Sequence, residues 1–249
     1  MIFHINFRTD GLATRLLQTA NITYYRKAGI QTKAFWKLNN ECSVHFLDLL
    51  KNVCEVDFQD GPIQGINALN SASNLPRSPH PRRRVELLKD ILIPSEEIKD
   101  IILSLKEKYD IGPDVVGIHL RCTEGYDWRN QVGEERHGRS EALINNLNKI
   151  EELKGELKGK RVMLVADNEA LINFLLNKYE NFFRIEEDIL PNHDGTDSNR
   201  PHTFRSQDSV KMALALAYLL STTDYQDTLR LSLKSYFSRL PLWLRGIEF

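Results

Sequence analysis

The chain has 249 residues, 41% hydrophobic and 27% charged, which is the composition of a globular protein with a sizeable core and not of a disordered or fibrous chain. Its formal net charge of −1 gives no global field toward nucleic acid or a membrane surface, and no apolar run approaches the length of a membrane span. Cys42, Cys54 and Cys122 are isolated thiols without CxxC spacing, which argues against a zinc or disulfide framework.

The chain opens MIFHINFRTDG, without the basic segment and long apolar core of a secretory leader, so the expected location is cytoplasmic. Residues 2–7, IFHINF, predict a buried strand. Gly11 punctuates, and Leu12, Leu16, Leu17 and Ala20 then recur at helical spacing until Gly29. TKAFWKL (32–38) predicts a strand, VHFLDLLKN (44–52) a helix and VCEVDF (53–58) a strand. This alternation predicts α/β layers with a mainly parallel sheet.

Residues 59–84 break the rhythm. They hold Gly61, Pro62, Gly65, Pro76, Pro79 and Pro81 and end in Arg82-Arg83-Arg84, which predicts a loop or linker at the edge of a first domain. The predicted division is an N-terminal half, 1–92, and a C-terminal half, 93–249. IPSEEIKDIILSLKEKY (93–109) predicts a helix, with Ser95 before it, Glu96 and Glu97 in its first turn and Lys106 and Lys108 in its last.

The second half repeats the alternation. DVVGIHL (114–120) predicts a strand, 121–139 a polar loop, 140–153 a helix, KRVMLVAD (160–167) a strand and NEALINFLLNKYE (168–180) a helix. Residues 186–206 predict a second long polar loop. SVKMALALAYLLS (209–221) predicts a strongly apolar helix, and LKSYFSRLPLWLRGIEF a turn into a short helix.

In parallel α/β sheets ligands bind beyond the carboxyl ends of the strands. Polar clusters fall there: Arg8-Thr9-Asp10-Gly11, then His119-Leu120-Arg121-Cys122-Thr123-Glu124, then Asp167-Asn168, and Ser235-Tyr236-Phe237-Ser238 at a helix start. An Arg at a strand end beside a Ser-capped helix N-terminus suits a diphosphate. Each residue also has a purely structural reading. Arg121 would pair with a carboxylate, His119 would be a satisfied core histidine, and Asp167 and Ser235 would be helix caps. Arg82 to Arg84 read as a solvated loop face, and a basic run this short does not make a nucleic-acid surface.

Several chemistries have no motif here. There is no GxxxxGK[ST], no GxGxxG after the first strand, no HExxH, no Asp-x-Asp pair and no GxSxG.

Taken in order, the clusters resemble the fucosyltransferase superfamily that includes α1,6-fucosyltransferases, rhizobial nodulation fucosyltransferases and protein O-fucosyltransferases. DGLATRLLQTA (10–20) is similar to that family's Gly-Leu-Gly-Asn-Arg-Leu turn and helix. FWKLNNECSVHFLDLL (35–50) resembles its Trp-and-Cys stretch. VVGIHLRCTE (115–124) is similar to its Val-Gly-x-His-x-Arg-x-Thr-Asp motif, and VMLVADNEALINFL (162–175) to the strand ending in Thr-Asp-Asp. SVKMALALAYLLSTTDY (209–225) and SLKSYFSRL (232–240) resemble its late helix and Ser-Ser-Phe-Ser motif.

The resemblance implies a GT-B-like fold of two Rossmann-like halves, with the acceptor on the N-terminal side and GDP-fucose on the C-terminal side. It implies inverting transfer of fucose to a glycan or glycolipid with no metal and no cofactor, and a glycolipid acceptor would bring peripheral membrane contact. Carried onto this chain, Arg121 would bind the donor β-phosphate and His119 would shape the pocket beside it. Asp167, Ser235, Tyr236, Phe237 and Ser238 would complete the donor site, and Gly11 would let the first loop approach the nucleotide.

The likeness departs at Ala13, Glu124, Ala166 and Asn168. It also departs at Leu216, where many members place an acid that reads guanine; Asp208 or a backbone group is the available substitute. Direct displacement needs a group on the far face of the sugar to accept the acceptor proton. The loop after Arg121 offers Glu124, Asp127, Glu134, Glu135 and His137, and the expected base is Glu124 or Glu134.

Overall fold

The computed structural model describes residues 2–6, 11–53, 55–63, 68–69, 86–120, 137–167, 169–190, 192–194, 202–225 and 236–247. Two parallel four-stranded sheets organise them. The first holds β1 (Ile2–Asn6), β2 (Gln31–Phe35), β3 (Asp57–Phe58) and β4 (Ala68–Leu69) in the order β3-β2-β1-β4. The second holds β5 (Val116–Leu120), β6 (Val162–Ala166), β7 (Phe182–Phe183) and β10 (Asp224–Tyr225) in the order β10-β5-β6-β7. A separate antiparallel hairpin is made by β8 (Asn192–Asp194) and β9 (His202–Phe204).

The helices are α1 (Leu12–Lys27), α2 (Phe46–Leu49), α3 (86–89), α4 (Glu96–Lys108), α5 (His137–Leu157), α6 (Glu169–Lys178), α7 (Gln207–Thr222) and α8 (Tyr236–Leu244). Local chemistry explains several of their ends. Ser95 caps α4 by accepting from the Ile98 N–H at 3.4 Å, and Ser206 caps α7 by accepting from Ser209 N–H at 3.1 Å. Glu96 and Glu97 open α4 and Lys106 and Lys108 close it, matching the helix dipole at both ends.

Two predicted elements are shorter than their patterns suggest. The helix expected over 44–52 stops at Leu49, because Leu50 turns extended (φ −137°, ψ 151°) to make a bridge with Pro94. The strand expected over 53–58 is confined to Asp57–Phe58, because Glu55 sits at φ 48°, a left-handed conformation that a strand cannot carry. The two polar stretches read as loops also contain short strands. β4 lies within 59–84 and pairs with β1 at His4↔Ala68, and the β8–β9 hairpin lies within 186–206.

Buried apolar residues form two clusters. The smaller, with Val116, Ile118, Leu164 and Leu175, belongs to the second sheet and its helices. The larger runs from Leu16 and Trp36 through Ile98 and Leu216 to Leu240 and Trp243, so α1, α4, α7 and α8 share one core. The C-terminal helix α8 thereby packs against α1 as well as α7.

The C-terminal end of α7 closely approaches β5 at Gly117. A Cβ there would stand 2.2 Å from Oγ1 of Thr223, so only glycine fits.

Candidate functional site

Chain order reverses once in each sheet. From β5 the chain steps to β6 on one side and later returns to β10 on the other, and β1 likewise lies between β2 and β4. Such switch points open a crevice at the carboxyl ends of the strands, which is where parallel α/β proteins bind ligands.

The crevice between β5 and β10 is furnished by His119. Strand β5 is buried along its whole length, and His119 is 8% exposed. Its Nδ1 is hydrogen-bonded to the Oγ of Ser238, in the first turn of α8, at 2.9 Å. The Phe237 ring lies against the imidazole, with centroids 5.1 Å apart. Ser238 is held a second time, since its carbonyl accepts the Tyr225 hydroxyl at 2.7 Å. Tyr225 sits at the end of β10, opposite Gly117 in the register. The Tyr225 carbonyl in turn accepts from Nη2 of Arg245 at 3.1 Å. The start of α8 is therefore fastened to the carboxyl ends of two adjacent strands.

Asp167 stands at the same edge. It follows Ala166, which is paired with Leu120 in the β5–β6 register, and it is half-buried. The structure thus brings together three of the residues singled out by sequence, His119, Phe237 and Ser238, and places Asp167 at the end of the neighbouring strand β6. Tyr236 opens α8 beside them. Arg121, Glu124, Glu134 and Ser235 lie outside the described residues.

Gly11 lies at the carboxyl end of the first sheet, as the N-cap of α1. Its φ is −64°, and a Cβ would rest 3.5 Å from Oε2 of Glu41, an ordinary contact. Neither its conformation nor this neighbour requires a glycine. Leu216 is buried in the main apolar cluster, so that position of α7 faces the core. Asp208 is exposed in the first turn of α7.

Sequence reasoning missed Arg15. It is fully buried on α1, with its guanidinium 5.2 Å from the centroid of the Trp36 ring. It donates to the Lys37 carbonyl, and through Nη2 to Oδ1 of Asn39 at 2.7 Å. The same Asn39 oxygen accepts from the Cys42 N–H at 2.9 Å, and the Trp36 indole N–H donates to the Val44 carbonyl at 2.9 Å. The two N-terminal segments that resemble family motifs are thus one structural unit. Two signals were available: Arg15 stands where the Gly-Leu-Gly-Asn-Arg-Leu likeness has its Arg, and it falls one turn from Leu12 and Thr19 on the buried face of α1.

A second contact joins the region after β2 to the segment entering α7. The Arg205 N–H donates to the Asn40 carbonyl at 2.8 Å, and the Ser43 hydroxyl to the Arg205 carbonyl at 2.8 Å. The Arg205 guanidinium reaches Ser209 Oγ at 3.3 Å. Close by, burial pushes the Asp188 carboxyl up to about 6, against the opposing pull of Arg205 and Arg184. Burial also pushes the Cys42 thiol up.

An open groove of about 390 Å³ lies at the opposite, amino edge of the second sheet, against Tyr109, Arg161 and Phe183. Its cations are already engaged, Arg161 with Asp110 at 3.2 Å and Lys108 with Glu187 at 2.5 Å. Among the described residues no group of three His, Cys, Asp or Glu is placed to hold a metal ion, and no helix is long and apolar enough to cross a membrane.

No protein-family model and no curated protein sequence matches the chain. Solved structures do match, over nearly its whole length. The fucosyltransferase NodZ from Bradyrhizobium superposes with a TM-score of 0.62 at 14% identity, covering 98% of this chain and 92% of that one. A variant of FUT1 from Arabidopsis thaliana, in complex with GDP, gives 0.55 at 12% identity, covering 99% of this chain and 69% of that one. POFUT1 in complex with GDP gives 0.55 at 11% identity, covering 99% and 95%. NodZ α1,6-fucosyltransferase has also been co-crystallised with GDP and soaked with GDP-fucose. The fold is therefore that of the GT-B fucosyltransferases, as the sequence motifs imply.

Proposed function

We propose that the chain is a glycosyltransferase that moves fucose from GDP-fucose to a hydroxyl of a glycan or glycolipid, with inversion and without a metal. The observation that carries this reading is the His119–Ser238 hydrogen bond, which holds the start of α8 at the switch point of the second sheet. The GDP and GDP-fucose complexes of proteins sharing the fold support the choice of donor.

In this reading the acceptor oxygen attacks the anomeric carbon as the bond from that carbon to the β-phosphate oxygen breaks. The electron pair leaves with GDP. Arg121, two residues beyond His119, and the free N–H groups at the start of α8 take up the charge that grows on the phosphate. The acceptor proton passes to a carboxylate, for which Glu124 and Glu134 are the candidates. The N-terminal half, 1–92, faces the acceptor, and the C-terminal half, 93–249, holds the nucleotide.

The test is GDP release and product formation from GDP-fucose with a panel of glycan acceptors, with and without a chelator. Turnover that persists in chelator supports the reading. Turnover lost in chelator and restored by Mg²⁺ or Mn²⁺ contradicts the metal-free mechanism.

A second reading has one observation in its favour. Leu216 is buried in the core, so guanine is not read by an acid at that position. The same fold would then serve another sugar nucleotide, or bind a nucleotide or glycan without catalysis. Transfer from a different donor would distinguish the first case, and binding without turnover the second.

A further inference from the structure

We infer that Tyr225 is a positioning residue for the donor site, acting through Ser238 on His119 and on the first turn of α8. The inference rests on the functional reading above and gives a role to a residue that was not among the candidate site residues.

Three elements meet at this point. β5 supplies His119, β10 supplies Tyr225 and α8 supplies Ser238. The Tyr225 hydroxyl fixes the Ser238 carbonyl at 2.7 Å, and the Ser238 hydroxyl and the His119 Nδ1 fix each other at 2.9 Å. Ser238 is thus held through backbone and side chain at once. All three residues are buried, with Tyr225 5%, Ser238 4% and His119 8% exposed. A buried ring whose Nδ1 is engaged is held in orientation by that partner. The groups this relay aligns are the strand end from which Arg121 leaves and the helix turn that follows Ser235. A diphosphate held between them depends on their separation, and sub-ångström looseness in such a frame weakens binding.

α7 provides a matched comparison. Tyr218 is fully buried, and its hydroxyl donates to the Leu92 carbonyl. That bond is of the same kind as the one made by Tyr225 but joins α7 to residues outside the crevice. Tyr218→Phe and Tyr225→Phe each delete one buried hydroxyl-to-carbonyl bond without changing the ring.

The experiment is calorimetric titration of GDP into wild type, Tyr225→Phe, Ser238→Ala and Tyr218→Phe, with a melting curve for each. It is joined by ¹⁵N-imidazole spectra of the histidines in the unliganded proteins. Expected for Tyr225→Phe is a Kd for GDP raised about five- to tenfold, the loss of one buried hydrogen bond read at the ligand. Ser238→Ala should weaken GDP at least as much and change the tautomer signature of His119. Tyr218→Phe should lower the melting temperature as much as Tyr225→Phe and leave the Kd unchanged. Wild-type affinity in Tyr225→Phe overturns the inference alone. An equal loss of affinity in Tyr218→Phe also overturns it, because the effect would then be general destabilisation. Failure of the wild type to bind GDP overturns the functional reading and this inference with it.

Discussion

The guanidinium of Arg15 lies 5.2 Å from the centre of the Trp36 ring, in a site closed to solvent. A buried charge is tolerable only when its desolvation is offset by directed bonds, and Arg15 has them in the Lys37 carbonyl and Asn39 Oδ1. The loop after β2 is consequently built around a residue of α1. Arg15→Lys keeps the charge but loses the planar fork that reaches two acceptors while covering an indole. It should destabilise the protein by about 2–4 kcal/mol in urea unfolding, and Arg15→Ala by at least as much. Unchanged midpoints would show that the loop does not depend on this cation.

Gly117→Ala is expected to be costly for a different reason. The added methyl would meet Thr223 Oγ1 at 2.2 Å, with Leu220 close behind at 2.9 Å. Overpacking of this kind costs about 1–3 kcal/mol or more. Thr223→Ala in the same chain removes the nearest atom and should restore part of the loss. A double mutant as unstable as Gly117→Ala alone would place the strain elsewhere.

Asp188 gives the protein a pH dependence of unusual sign. Its carboxyl titrates near 6 in the folded chain, raised from 3.8 by burial. Between those values the folded state holds a proton that the unfolded state has released, so stability falls as pH rises from about 4 to about 6 and is flat above. Asp188→Asn removes the ionisation and should stabilise the protein at pH 7 and above by about 1–2 kcal/mol, with little effect below pH 4. A loss of stability at pH 8 in place of the gain would invert the assignment. Ion pairing with Arg205 or Arg184 stronger than burial would produce that inversion.

If Arg121 binds the donor as proposed, Arg121→Ala should abolish transfer and weaken donor binding sharply, because the diphosphate would lose its charged partner. The assay is turnover of GDP-fucose beside direct binding of GDP. Normal activity in this variant would mean that the leaving group is stabilised by other residues.

Long, strongly patterned elements were legible in the sequence. α1, α4 and α7 follow the spacing of their apolar residues, and Ser95 caps α4 as its position suggests. β5 and β6 read as apolar runs because both of their faces are covered. Three of the two-residue strands were not legible. β4, β7 and β10 owe their conformation to the strand beside them, and no periodicity is expressed in two residues. The candidate site was legible as separate fragments. His119 and Ser238 are 119 positions apart, and only the fold puts them in contact. Tyr225 escaped notice because its partner is a backbone carbonyl, which every sequence contains. The missing acid at Leu216 has its physical counterpart in that residue's burial.

The most direct test of the account is thermal unfolding in the presence of GDP, GDP-fucose, UDP, CMP and ADP. A ligand that binds only the folded state at a hundred times its Kd adds about 2.7 kcal/mol of stability. For a chain of this size that corresponds to a rise of roughly 5–10 °C in melting temperature. The account predicts such a rise with GDP and GDP-fucose and none with the others. A rise with UDP, CMP or ADP instead would contradict the donor, and no rise with any of the five would contradict the nucleotide site itself.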